Sequence, residues 1–209
     1  MSMFQYQIRE SSLNNYDNPA IILLHGYGSD ENDLFSFADY LPNKFTIISL
    51  RAPFDTPMGG FCWFSINFNN SNEKWSDSKQ ANQSISALCS EIDHLIEKYS
   101  LNPNQIDLMG FSQGAVISWC LLLDFPMKIN RAICMSGYID RTLLKKDINS
   151  YRDVTAYSSH GTNDEVIPFE WAKNSIEPLK KNNRKVIFNA FKDGHNVSQE
   201  NFQNIIKWL

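Results

Sequence analysis

The sequence predicts an α/β fold, built on a mostly parallel sheet of about seven strands with helices on both faces. Three observations predict it. Short, apolar, β-branched runs alternate with longer amphipathic stretches along most of the 209 residues. The short runs are apolar at consecutive positions, as strands covered on both faces require. No internal repeat, low-complexity tract or linker divides the chain, so residues 1–209 are expected to form one domain around one core.

The elements follow in order. Residues 4–10 alternate in polarity and suit an edge or antiparallel strand. Further strands are predicted at 20–24, 45–50, 106–109, 131–135, 154–158 and 185–191. The stretch 51–76 is rich in Pro, Gly, Asn and aromatic residues and reads as a long irregular loop, a kind that is often functional. Over 77–99, Ala81, Ile85, Leu88, Ile92, Leu95 and Tyr99 recur at three- and four-residue steps, which predicts an amphipathic helix. The segment 115–123 is apolar nearly all round and predicts a buried helix. It stops at Asp124-Phe125-Pro126, where proline disfavours helical geometry in the residue before it. Phe202, Ile205, Ile206 and Leu209 mark a last helix. Alternation of this kind means a parallel sheet between two helical layers. No insertion is long enough for a separate lid domain.

Composition narrows the function classes. A chain that is 43% hydrophobic and 20% charged has the make-up of a globule rather than of a disordered segment. A formal net charge of -4 with no basic run argues against nucleic acid, whose phosphates are held chiefly by Lys and Arg. The amino terminus lacks a charged segment followed by an apolar one, so no signal peptide is expected. The apolar runs near 21–24 and 117–123 fall far short of the ~20 residues that span a bilayer, so no stable membrane insertion is expected. Cys62, Cys89, Cys120 and Cys134 are scattered and read as reduced, buried thiols of a cytoplasmic protein. His25, His94, His160 and His195 lack the spacing of a zinc site, and no metal is expected.

The sharpest chemical signal is Gly110-Phe111-Ser112-Gln113-Gly114, between a predicted strand and a predicted helix. A strand that reverses at once into a helix strains the residue at the turn. Its neighbours two positions away must then be nearly free of side chain. The Ser112 hydroxyl stands exposed above the sheet edge, and the Gln113 N–H sits at the helix amino terminus, where negative charge is favoured. A serine hydroxyl needs a base to take its proton. Asp164, in His160-Gly161-Thr162-Asn163-Asp164, and His195, in Asp193-Gly194-His195, each follow a predicted strand in the chain order Ser, Asp, His. Glu165 competes with Asp164 for the acid role, and Asp193 does so less well because it is two residues from the histidine. The turn Gly26-Tyr27-Gly28 after the strand at 20–24 can aim a second N–H at a developing oxyanion. His25 reads as structural, orienting that turn. Among the aromatics of 51–76, Phe61, Trp63 and Phe64 are the candidates for an acyl groove beside Ser112, with Phe54, Met58, Phe68 and Trp75 near them in sequence.

The stretches LLHGYGSDENDL, RAPFDTPMGGFCWFSI, GFSQGA, HGTNDEVIP and DGH, spread in this order over nearly the whole chain, resemble the phospholipase/carboxylesterase family of α/β hydrolases, which includes acyl-protein thioesterases and small bacterial carboxylesterases. The resemblance implies Ser112 as nucleophile, Asp164 as the residue orienting the base, and His195 as general base and then acid. It implies Tyr27 and Gln113 as the oxyanion N–H donors, an acyl ester or thioester as the small-molecule partner, and a homodimer. Two positions depart from the family: Ser65, where many relatives are acidic after the Trp-Phe pair, and Tyr27, where thioesterase relatives usually carry Leu. Both border the expected pocket. The chemistry implied needs no cofactor.

Overall fold

The computed structural model describes residues 2–13, 17–68 and 74–209, with backbone alone at 67, 68, 74 and 75. A seven-stranded sheet forms the centre. Its strands are β1 (Tyr6–Arg9), β2 (Asn18–Leu24), β3 (Thr46–Leu50), β8 (Leu101–Phe111), β9 (Arg131–Met135), β10 (Ala156–Gly161) and β11 (Val186–Phe191), in spatial order β1-β3-β2-β8-β9-β10-β11. The edge strand β1 runs antiparallel to β3, as its alternation predicts, and every other pairing in this sheet is parallel.

Side chains alternate across β2 and divide the core in two. Ile22 and Leu24 face the layer of α2 (Ser78–Tyr99), α3 (Gln113–Asp124) and α4 (Phe169–Asn182). Ile21 and Leu23 face the layer of α1 (Asn32–Phe35) and α5 (Gln199–Trp208). Helix α3 is buried from Gln113 through Leu123, which explains a sequence apolar on all sides. Helix α2 is capped by Asp77, whose side chain accepts from the Gln80 N–H and satisfies one of the free amides of the first turn. Among the described residues no helix is long and apolar enough to cross a membrane. All four cysteines are free and buried.

Three differences from the sequence reading have physical causes. Helix α4 is not predicted, because Pro178 interrupts its pattern. The Asn174 carbonyl, which an N–H at 178 would have met, accepts from Arg141 Nη2 at 3.3 Å instead. Strand β10 starts later and ends later than 154–158. The Val154 N–H is held by Asn183 Oδ1 rather than by the ladder, and pairing with β11 continues through the polar residues to Gly161 opposite Phe191. The stretch 51–76 is not irregular throughout: it holds two antiparallel hairpins, β4 (Phe54–Asp55) with β5 (Phe61–Cys62), and β6 (Ile66–Phe68) with β7 (Lys74–Ser76).

Candidate active site

Strand β8 reverses into α3 at Ser112, which sits at φ 53 and ψ -115. A non-glycine residue there costs roughly 1–3 kcal/mol of strain and persists only where its surroundings over-determine it, and here they do. The Ser112 N–H donates to the Met135 carbonyl on β9 at 2.8 Å, and the Ser112 carbonyl accepts from Ala115 and Val116. A Cβ on Gly114 would lie 1.9 Å from the Leu24 carbonyl oxygen, and one on Gly110 would lie 2.4 Å from that of Gly114. Both glycines are therefore obligatory. The turn packs backbone on backbone, with no space for side chains.

The loops after β10 and β11 bring two further residues to the same sheet edge. A Cβ on Gly161 would lie 2.2 Å from the Gly194 carbonyl oxygen, so the two loops touch. The Asn163 N–H bonds the Asp193 carbonyl at 2.9 Å across that contact. His195 Nδ1 then lies 2.7 Å from Asp164 Oδ2, and His195 Nε2 lies 2.9 Å from Ser112 Oγ. A carboxylate only accepts, so Nδ1 carries the hydrogen and Nε2 is free to accept from the serine hydroxyl. The other carboxylate oxygen, Asp164 Oδ1, accepts from the N–H groups of Val166 and Ile167, each at 2.9 Å. Asp164 is buried, whereas Glu165 is exposed. Among the described residues neither Glu165 nor Asp193 bonds the His195 ring.

The turn after β2 is set by a hairpin from the aromatic stretch. The Gly28 N–H donates to the Phe61 carbonyl and the Phe61 N–H to the Ser29 carbonyl, both at 2.8 Å. Gly28 has φ 80, and a Cβ on Gly60 would lie 2.1 Å from its carbonyl oxygen. Among the described residues neither the Tyr27 N–H nor the Gln113 N–H meets an acceptor, and both residues line the cavity that holds Ser112 and His195. His25 is wholly buried and serves this turn: Nδ1–H donates to the Gly26 carbonyl at 2.7 Å, and Nε2 accepts from the Ala52 N–H at 3.0 Å. Burial pushes its pKa below the usual histidine value. The Gln113 side chain has a task that the motif does not reveal. Its Oε1 accepts from the Trp63 N–H at 2.8 Å and its Nε2 donates to the Phe64 carbonyl at 2.6 Å, which clamps the aromatic stretch onto the turn.

The cavity encloses about 650 Å³. Of the three aromatics expected to line it, Phe64 does and the other two do not. Trp63 is 0% exposed; its Nε1 donates to the His25 carbonyl at 2.9 Å and its ring packs between Phe4 and His25. Phe61 lies under the Arg51 guanidinium, 4.4 Å from the ring centre. Trp63 is spent on packing, because a buried indole N–H needs an acceptor and finds it in the His25 carbonyl. The aromatic side chains of Phe68 and Trp75 lie outside the described residues. The apolar wall comes largely from elsewhere: Phe111, Val116, Tyr138, Val166, Ile167 and Trp171. Phe111, Val166 and Ile167 adjoin Ser112 and Asp164 in sequence and could have been found there. Trp171 sits on the unpredicted helix α4, in edge contact with Tyr138 at 6.2 Å. Asp140 is the one charged residue among the described lining, and no Lys or Arg is among them.

Comparison with known proteins gives a consistent result. The phospholipase/carboxylesterase family profile matches residues 10–209. An acyl-protein thioesterase 1 of Candida albicans is 26% identical over 211 residues, covering 91% of this chain and 90% of the relative. Among solved structures, the Bacillus cereus carboxylesterase superposes with a TM-score of 0.84 at 19% identity, covering 99% of this chain and 93% of that one. Esterase PE8 superposes with a TM-score of 0.82 at 20% identity, covering 98% and 97%. At these identities the superpositions speak for the fold, and the profile speaks for the family: the chain belongs to the phospholipase/carboxylesterase family of α/β hydrolases.

Proposed function

We propose that this chain hydrolyses carboxylic esters of uncharged, apolar acyl groups through an acyl-enzyme on Ser112. One observation carries the reading: the unbroken chain from Ser112 Oγ through His195 to Asp164, at 2.9 and 2.7 Å, at the wall of a largely apolar cavity. His195 Nε2 takes the hydroxyl proton as Ser112 Oγ attacks the acyl carbonyl. Asp164 holds the imidazole in the Nδ1–H tautomer and balances the imidazolium that forms. The N–H groups of Tyr27 and Gln113 receive the oxyanion. Loss of one such donor costs roughly 2.7–4 kcal/mol of transition-state stabilisation. The proton then passes to the leaving alkoxide, and water activated by the same histidine releases the acid. Phe64 and the wall of Tyr138, Val166, Ile167 and Trp171 receive the acyl chain. A described lining with Asp140 and no Lys or Arg disfavours acyl groups that carry a carboxylate or phosphate.

A second reading, hydrolysis of acyl thioesters, is favoured by the 26% identity to proteins named acyl-protein thioesterase. Triad and cavity serve sulfur and oxygen esters alike, so only rates separate the two.

The experiment is turnover of p-nitrophenyl esters from acetate to palmitate, with matched thioesters and one anionic hemisuccinate ester, by wild type and Ser112→Ala. Ser112→Ala is expected to lose up to about 10⁶-fold in kcat, and the hemisuccinate is expected to be poorer than butyrate. The ratio of ester to thioester rates chooses between the two readings. Equal inertness of wild type and variant on every substrate would refute both and leave a binding role.

A further inference from the structure

His160 opens the stretch that ends in Asp164, and the acyl-transfer steps above leave it without a task. Its side chain is nevertheless 0% exposed and lies against the Asp164 carboxylate. His160 Nε2 is 2.8 Å from the Ile167 carbonyl oxygen and 3.2 Å from Asp164 Oδ2. Its Nδ1 is buried with no hydrogen-bond partner among the described residues. A carbonyl oxygen only accepts, so Nε2 carries the hydrogen. That N–H donates to the Ile167 carbonyl, and Asp164 Oδ2 lies beside the same nitrogen in close contact without a hydrogen bond.

The oxygen it reaches is the one that holds His195. Asp164 Oδ2 accepts from His195 Nδ1 at 2.7 Å, while Oδ1 accepts from Val166 and Ile167. The contacts close on themselves: carboxylate to the Ile167 N–H, Ile167 carbonyl to His160, and His160 back to the carboxylate. Val166 and Ile167 are also cavity wall. Phe169, on the first turn of α4, backs the His160 ring edge-on at 6.3 Å and keeps it from turning away.

We propose that His160 is a positioning residue for the reaction at Ser112, fixing through Ile167 both the rotation of the Asp164 carboxylate and the wall that faces the acyl chain. This inference rests on the serine-hydrolase reading. His160 holds the Ile167 carbonyl while the Ile167 N–H holds Asp164 Oδ1, so the peptide that fixes the carboxylate is itself anchored and the imidazole stays aligned on Ser112 Oγ. Without the His160 donor, the Ile167 peptide loses its anchor, and with it one of the two N–H groups on Oδ1 is free to shift.

The test compares two replacements of similar length. His160→Gln keeps an N–H at the reach of Nε2, and His160→Met does not. With p-nitrophenyl butyrate, H160M is expected to lose roughly 10- to 100-fold in kcat with KM within about twofold, and H160Q to recover most of the loss. The low-field proton resonance of the His195–Asp164 hydrogen bond should persist in H160Q and vanish in H160M. Ser112→Ala, assayed alongside, separates the two failures. If it is as active as wild type, the serine mechanism itself is wrong. If it is dead while H160M matches wild type, or while both His160 variants fall equally with raised KM, His160 is packing alone. Should H160M fail to fold, the ¹⁵N-histidine spectrum of wild type decides, since a His160 ring protonated on Nδ1 and bare on Nε2 would overturn the proposal.

Discussion

The turn at Ser112 and the aromatic stretch beginning at Arg51 meet at Gln113, yet different forces hold them. The turn is backbone against backbone: two glycines, one strained serine, and amide bonds to β9 and within α3. The aromatic stretch is held by side chains: Trp63 to the His25 carbonyl, Phe61 under Arg51, and the Gln113 amide to the backbone of Trp63 and Phe64. In the first region a residue type implies its place, because only glycine fits. In the second it does not. A Phe or Trp serves equally in a core or on a cavity wall, and the fold alone assigns it.

Three experiments sharpen or break that contrast. The largest effect is expected at Trp63, which is wholly buried. Trp63→Ala should cost about 3–5 kcal/mol in denaturant unfolding and leave chain-length preference unchanged. Trp171→Ala, at a cavity residue 55% exposed, should do the reverse, shifting the preferred acyl chain with stability nearly intact. A changed preference in the Trp63 variant would return that residue to the groove.

Next in size is Gly114→Ala. A Cβ 1.9 Å from the Leu24 carbonyl oxygen meets backbone that cannot yield. Overpacking of this kind costs about 1–3 kcal/mol or more, and the displaced turn should also remove esterase activity. A variant of wild-type stability and rate would show that the turn is softer than its contacts imply.

The smallest effect concerns His25, which ties the two regions together. Burial lowers its pKa in the folded chain below the ordinary 6.5. As pH falls through that value the unfolded chain takes up a proton that the folded chain refuses, so stability falls. Above it both states are neutral and the contribution is flat. The slope is up to about 1.4 kcal/mol per pH unit. His25→Asn, whose amide can keep the bond to Gly26, should flatten the pH dependence of Tm just below 6.5. An unchanged slope would mean that other groups cause it.

Much of the fold was legible because hydrophobic period and punctuation are local. Strand 131–135 coincides with β9, the antiparallel first strand lies at the sheet edge, and the helix over 77–99 begins one residue later. Helix α4 was not legible, since Pro178 breaks its pattern and the compensating bond to Asn174 comes from Arg141, 33 residues before Asn174. The site divides in the same way. Ser112, Asp164 and His195 could be named because each follows a strand, and parallel strands present such loops at one edge. The rest of the lining could not be named, because Tyr138, beyond β9, and Trp171, on α4, meet only in the folded chain.

The sequence by itself determined the order of strands and helices and that Ser112, Asp164 and His195 lie close beyond strands, because glycine, proline and apolar period act within a few residues. Only the tertiary structure decided which aromatics face the cavity, which oxygen of Asp164 holds His195, and that His160 reaches that same oxygen. Those facts depend on side-chain direction between segments distant in the chain. Direction is set by packing and hydrogen bonding across the core, which no local pattern encodes.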